Sequence, residues 1–66
     1  MQITVNGQQQ EQPDETTVSQ LIETMELNPL HVAVEVNKQL VTRSLHGETI
    51  LKQNDQLEIV TLVGGG

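Results

Sequence analysis

Sixty-six residues are enough for one domain and leave no room in this chain for a second. A net charge of −6, from nine acidic against three basic residues, argues against nucleic acid, whose phosphates need clustered Lys and Arg, and suits steering towards a basic partner surface. With no cysteine and no aromatic residue, the chain has no disulfide, thiolate metal site or cysteine nucleophile, and its core must be aliphatic.

Apolar and polar residues alternate over positions 1–5, the period-two pattern of a half-buried strand. Asn6-Gly7 follows, and because both residue types tolerate positive φ, the pair predicts a tight hairpin. The return strand, residues 8–12, is almost entirely polar and reads as an exposed edge ended by Pro13. Thr17 and Gln20 fit a capping box, and Val18, Leu21, Ile22 and Met25 then fall on one stripe of an α-helix. Asn28-Pro29 is expected to stop that helix, since the residue before proline avoids the α region. No other helix is expected. Val32, Val34 and Val36 mark one face of a second clear strand, Asn37-Lys38 turns the chain, and Leu40-Val41 can return. Residues 42–53 read as irregular, with a bend at Gly47 and Ile50 or Leu51 plugging the core. Asn54-Asp55 is another turn signal. Residues 57–63 then form the last strand, with Leu57, Ile59, Thr61 and Val63 on one face and Glu58, Val60 and Leu62 on the other.

A hairpin, a helix and then two or three strands imply a right-handed crossover onto one sheet. The expected class is α+β: a mixed sheet of four to five strands with one helix across one face, the first and last strands lying parallel in the centre. That is the β-grasp arrangement. Residues 1–63 would form the domain and residues 64–66 a flexible glycine tail. One helix covers one sheet face, so the other must be polar or meet a partner. Val60 and Leu62, next to the tail, are read as a docking patch, with loops over the outer face as the alternative.

Enzymatic constellations are scarce. His31 and His46 have no ligand spacing and read as surface or strand-end histidines. Ser19 and Ser44 sit in no nucleophile elbow. Asp14-Glu15 suits a solvated loop before a helix. No bound metal or cofactor and no enzymatic activity are expected. Residues 1–5 alternate where a signal peptide would be apolar, no run approaches membrane-spanning length, and cysteine is absent; a cytoplasmic protein without a membrane partner is expected.

The chain ends in "VTLVGGG". Nothing after Gly64, Gly65 and Gly66 makes them a phosphate loop. A disordered end would read the same way, but lacking Cβ atoms, glycines can thread a slot too narrow for other residues. Three extended residues reach about 10 Å, enough to carry a carboxylate into a neighbour's active site if the body docks close by. Val60, Leu62 and Val63 are placed to supply that docking.

"MQITVNG" at the start, "VAVEVN" with Val41 and Arg43 after it, "NDQLEIV", and the final Gly65-Gly66 run in order through the whole chain. Together they resemble the ThiS family, ubiquitin-like β-grasp sulfur carriers of thiamin biosynthesis. Asn54 stands where the family usually has glycine, a turn that Asn can make, and Thr42 stands where proline is common. The resemblance implies that Gly66 is the modified residue, first as an acyl-adenylate and then as a thiocarboxylate, with Gly64 and Gly65 giving access. It also implies an adenylating, ubiquitin-activating-like partner that uses ATP and Mg²⁺, a sulfur supply from cysteine through a persulfide, and thiazole synthase as the acceptor. Arg43 joins Val60, Leu62 and Val63 as an expected docking residue. A carrier for molybdopterin, a ubiquitin-like modifier and a passive interaction module remain open at this point.

Overall fold

The computed structural model describes residues 1–62. Strand β1 (Gln2–Val5) and β2 (Gln8–Glu11) form an antiparallel hairpin in the register Gln2↔Glu11 to Val5↔Gln8. Asn6 and Gly7 turn it with φ of 50° and 81°, positive at both central residues as a type I′ turn requires. A Cβ on Gly7 would meet nothing within 4 Å, so glycine is needed there for its backbone angle and not for space. β2 is the exposed polar edge that its sequence predicts.

The Met1 ammonium closes this edge, donating to the Gln12 carbonyl (2.7 Å) and to Glu11 Oε2 (3.2 Å). The hydrogen bond to Glu11 raises its pKa above the usual α-amino value of 8.0; burial opposes it, and Asp14 adds a smaller upward effect. A base whose pKa rises on folding adds stability below its unfolded pKa and loses it as pH climbs through the folded one. Thermal stability should therefore decline from about pH 8 upwards, and Glu11→Gln should flatten that decline in melts recorded across the alkaline range.

Helix α1 (Val18–Thr24) starts with the predicted capping box: Gln20 N–H donates to Thr17 Oγ1 (3.1 Å) and Thr17 N–H to Gln20 Oε1 (3.0 Å). Val18, Leu21 and Ile22 are buried and Met25 packs against them. Its end differs from expectation. Glu26 takes a left-handed φ of 59°, Glu26 N–H donates to Glu23 O (3.0 Å) and Leu27 N–H to Ile22 O (3.1 Å), the paired bonds of a Schellman motif. The helix thus stops before Asn28-Pro29, which instead opens a 3-10 turn (Pro29–His31), with Asn28 Oδ1 accepting from Leu30 N–H (2.9 Å). A side chain in the left-handed region is strained, so Glu26→Gly should raise stability by about 1 kcal/mol in denaturant melts.

Strands β3 (Val32–Val36), β4 (Gln39–Val41) and β5 (Gln56–Thr61) complete a five-stranded sheet in the order β2-β1-β5-β3-β4. β5 is central, parallel to β1 (Thr4↔Gln56, Val5↔Leu57) and antiparallel to β3 (Val32↔Thr61 to Val36↔Leu57). With α1 across one face, this is the ubiquitin-like β-grasp. The core consists of Ile3, Val5, Val18, Leu21, Ile22, Val32, Val34, Leu51, Leu57 and Ile59. No helix among the described residues is long and apolar enough to cross a membrane.

Residues 42–53 contain a second 3-10 turn (Arg43–Leu45) and are laced to the start of α1: Val18 N–H donates to Thr49 O (2.9 Å), Ser19 N–H to His46 O (3.0 Å) and Leu51 N–H to Thr16 O (2.8 Å). Of the two candidate plugs, Leu51 is 2% exposed and Ile50 52%. Leu51→Ala should cost about 2–5 kcal/mol and Ile50→Ala no more than about 0.5, measured by chemical denaturation. The lacing also corrects the reading of His46 as a surface histidine. It is only 5% exposed, with Nε2 3.2 Å from the Val41 carbonyl, because the segment folds back onto the helix. His31 is exposed, as expected.

Candidate functional site

Strand β5 carries the chain from the middle of the sheet towards its last residues. Its alternation puts Leu57 and Ile59 under α1, and Gln56, Glu58 and Val60 on the face that no helix covers. Val60 is 57% exposed and Leu62 53%. No loop covers them, so the outer-face patch is open among the described residues. Across the ladder Val60 sits opposite Ala33, and Glu58 sits opposite Glu35, which on its other side faces Leu40. Directly paired residues share a face. The patch is therefore apolar at Val60, Ala33 and Leu62, with an acidic border of Glu58 and Glu35. Like charges placed opposite one another weaken a sheet, so this pair does not serve the isolated fold.

Leu62 lies one step beyond β5 and is still held: its N–H donates to the His31 carbonyl (2.6 Å). The remaining predicted residues differ in outcome. Arg43 is exposed, at the start of the turn after edge strand β4, and β3 separates that strand from β5; the sheet does not place it beside Val60. Among the described residues no ion pair involves it. Val63, Gly64, Gly65 and Gly66 lie outside the described residues.

Two asparagines that read only as turn formers do more. Asn6 Oδ1 accepts from Ile59 N–H (2.8 Å) and Asn6 Nδ2 donates to Ile59 O (3.0 Å). Asn37 Oδ1 accepts from Gln56 N–H and Asn37 Nδ2 donates to Asp55 Oδ1, both at 3.0 Å. Each hairpin turn thus grips β5 by a side chain. The signal was the Val-Asn repeat at both turns (Val5-Asn6, Val36-Asn37), but nothing in the spacing tells a turn asparagine from one that reaches across a sheet. Asn54, at φ 71°, makes the positive-φ turn anticipated for it.

No group of three or more His, Cys, Asp or Glu among the described residues is placed to hold a metal. A concavity of about 620 Å³ lies open between Gln12, Asp14 and Glu23, away from β5.

The family model described as the ThiS family matches residues 3–66. This chain belongs to the ThiS family. The crystal structure of the thiamine biosynthesis protein ThiS from Geobacter metallireducens superposes with a TM-score of 0.86 at 28% identity, covering the whole of both chains. Among curated proteins, the thiazole synthase of Magnetococcus marinus is 38% identical over 66 residues, which are 100% of this chain but 20% of that protein. The uncharacterized protein ycf40 of Pyropia yezoensis is 34% identical over 64 residues, 97% of this chain and 90% of that one. This ThiS-family chain therefore spans about a fifth of the length of the thiazole synthases that it matches (20% in each case).

Proposed function

We propose that this chain carries sulfur for the thiazole ring of thiamin, as a thiocarboxylate on Gly66. The observation that supports this most is where the apolar patch lies: the central strand carries exposed Val60, and exposed Leu62 follows it, two positions before Gly64 in the sequence. A body that docks by this face would hold the last residues next to a partner's active site. Its acidic border suits a basic surface on that partner.

The chemistry follows from the weakness of a carboxylate as an electrophile. On an adenylating enzyme of the ubiquitin-activating type, with Gly66 terminal, a carboxylate oxygen attacks the α-phosphorus of ATP. Pyrophosphate leaves, while Mg²⁺ on the enzyme offsets phosphate charge. The terminal sulfur of a persulfide, formed with sulfur drawn from cysteine, then attacks the acyl carbon and AMP leaves. Cleavage of the resulting S–S bond by a thiol frees the thiocarboxylate. Thiazole synthase is the acceptor in this reading, supported by relatives of that name that contain a segment similar to this whole chain. The chain itself is a co-substrate, not a catalyst; it binds no cofactor of its own and acts in the cytoplasm. Arg43, Val60, Leu62 and Val63 serve docking, and Gly64 and Gly65 give access.

ATP–pyrophosphate exchange by the cognate adenylating enzyme tests the first step. Exchange should depend on this chain and vanish when Gly65 and Gly66 are deleted. Exchange that survives the deletion would rule out activation at Gly66.

A further inference from the structure

Strand β1 leaves the centre of the sheet early. It pairs with β5 only as far as Val5↔Leu57, and at Asn6 the backbone turns away towards β2. Asn6 N–H still donates to Leu57 O (2.9 Å). One step further, Ile59 turns its N–H and C=O towards the space that a continuing β1 would occupy, and the Asn6 carboxamide meets both, accepting at 2.8 Å and donating at 3.0 Å. A primary amide has the donor and acceptor of a peptide group, so the side chain prolongs the ladder after the main chain has left. Beyond this point β5 is paired on its other side, through Val32↔Thr61 and the Leu62 N–H to His31 O bond.

We infer that Asn6 is a positioning residue: its carboxamide holds Ile59 from the β1 side and so sets the direction of the end of β5, the strand that residues 63–66 follow in the sequence. This rests on the carrier reading for its consequence, but not for its geometry. Leu62 lies three positions beyond Ile59 and Gly66 seven, so a pivot at Ile59 should act more strongly on the carboxyl end than on the docking patch. Misplacing a reacting group by about 1 Å can cost on the order of a hundredfold in rate. The loss should fall on the chemical step and leave docking near normal, since the exposed side chains of Val60 and Leu62 remain.

The substitution must not disturb the turn. At φ 50°, Asn6→Gly removes the carboxamide in a conformation that glycine adopts freely. Asn6→Asp keeps the acceptor for Ile59 N–H, loses the donor and sets a carboxylate against the Ile59 carbonyl. Only when protonated does it regain a donor.

Amide hydrogen exchange on the full chain, read residue by residue, tests the geometry. In Asn6→Gly, protection at Ile59 and Leu62 should fall roughly tenfold or more relative to Leu21 and Val34. In Asn6→Asp, Ile59 protection should recover as pH drops below about 4, where that carboxyl protonates. With the adenylating enzyme, Asn6→Gly should lower kcat by roughly tenfold or more while KM stays within about threefold. Uniform loss of protection would mean that Asn6 only stabilises the fold, and unchanged protection at Ile59 would mean that it holds nothing; either overturns the inference. So would a normal kcat despite lost protection. If the unsubstituted chain is not adenylated at all, the carrier reading falls, and the exchange ratios alone decide whether Asn6 sets the end of β5.

Discussion

Gly65→Val is expected to abolish activation of Gly66, a loss of roughly a hundredfold or more in adenylation rate, with no change in the melting transition. In the proposed role residue 65 passes beside the nucleotide; valine adds a branched Cβ there and restricts a backbone that glycine leaves free. The fold should not notice. Every buried core side chain among the described residues lies at or before Ile59, and a glycine at position 65 has no side chain to contribute to it. Steady-state adenylation alongside a thermal melt separates the two effects. A Gly65→Val chain that is adenylated at the normal rate would end the narrow-slot explanation for the glycines.

A charge in the apolar patch should act on the other kinetic constant. Leu62→Asp, and Val60→Asp beside Glu58, put a carboxylate where the partner is expected to be apolar, without entering the core. At 53% and 57% exposure both positions can hold the charge in the free protein. In the complex it would be desolvated without a partner, at a cost of about 2–4 kcal/mol by comparison with interface hot spots, or roughly 30- to 1,000-fold in KM. The rate at saturation should be largely kept, in contrast to Gly65→Val. Leu40→Asp is the control: it is also exposed, but it lies on edge strand β4, with β3 between it and β5, and should have a smaller effect. An unchanged KM for both β5 variants would mean that the partner docks elsewhere.

Much of this was legible in the residue pattern, and the exceptions share a cause. Alternation in β1, β3 and β5, the capping box at Thr17 and the Asn-Gly turn are local signals, and each element formed close to where they placed it; β5 spans Gln56–Thr61 instead of 57–63, and Thr61 is exposed where the alternation put it with Leu57 and Ile59. The parallel contact of β1 with β5 followed because one helix between them leaves few ways to close the sheet. The open patch at Val60 and Leu62 was foreseeable as soon as β5 was apolar on both faces. What escaped depends on contacts made at a distance. The choice of Leu51 over Ile50, and the burial of His46, follow from backbone bonds to the start of α1 that no local pattern encodes. The helix ends at Thr24, ahead of the proline, because Glu26 takes the left-handed conformation that glycine usually supplies, and a glutamate carries no local signal for that stop. Asn6 and Asn37 looked like turn formers because turns favour them; their grip on β5 exists only once the sheet is assembled.

The most direct measurement is the intact mass of this chain after incubation with ATP, Mg²⁺, a persulfide source and its adenylating enzyme. The account predicts a gain equal to exchanging one oxygen for one sulfur, confined to the peptide that ends in Gly66. An unchanged mass, with the same enzyme shown to be active on another carrier, would contradict it and leave a β-grasp domain that only binds.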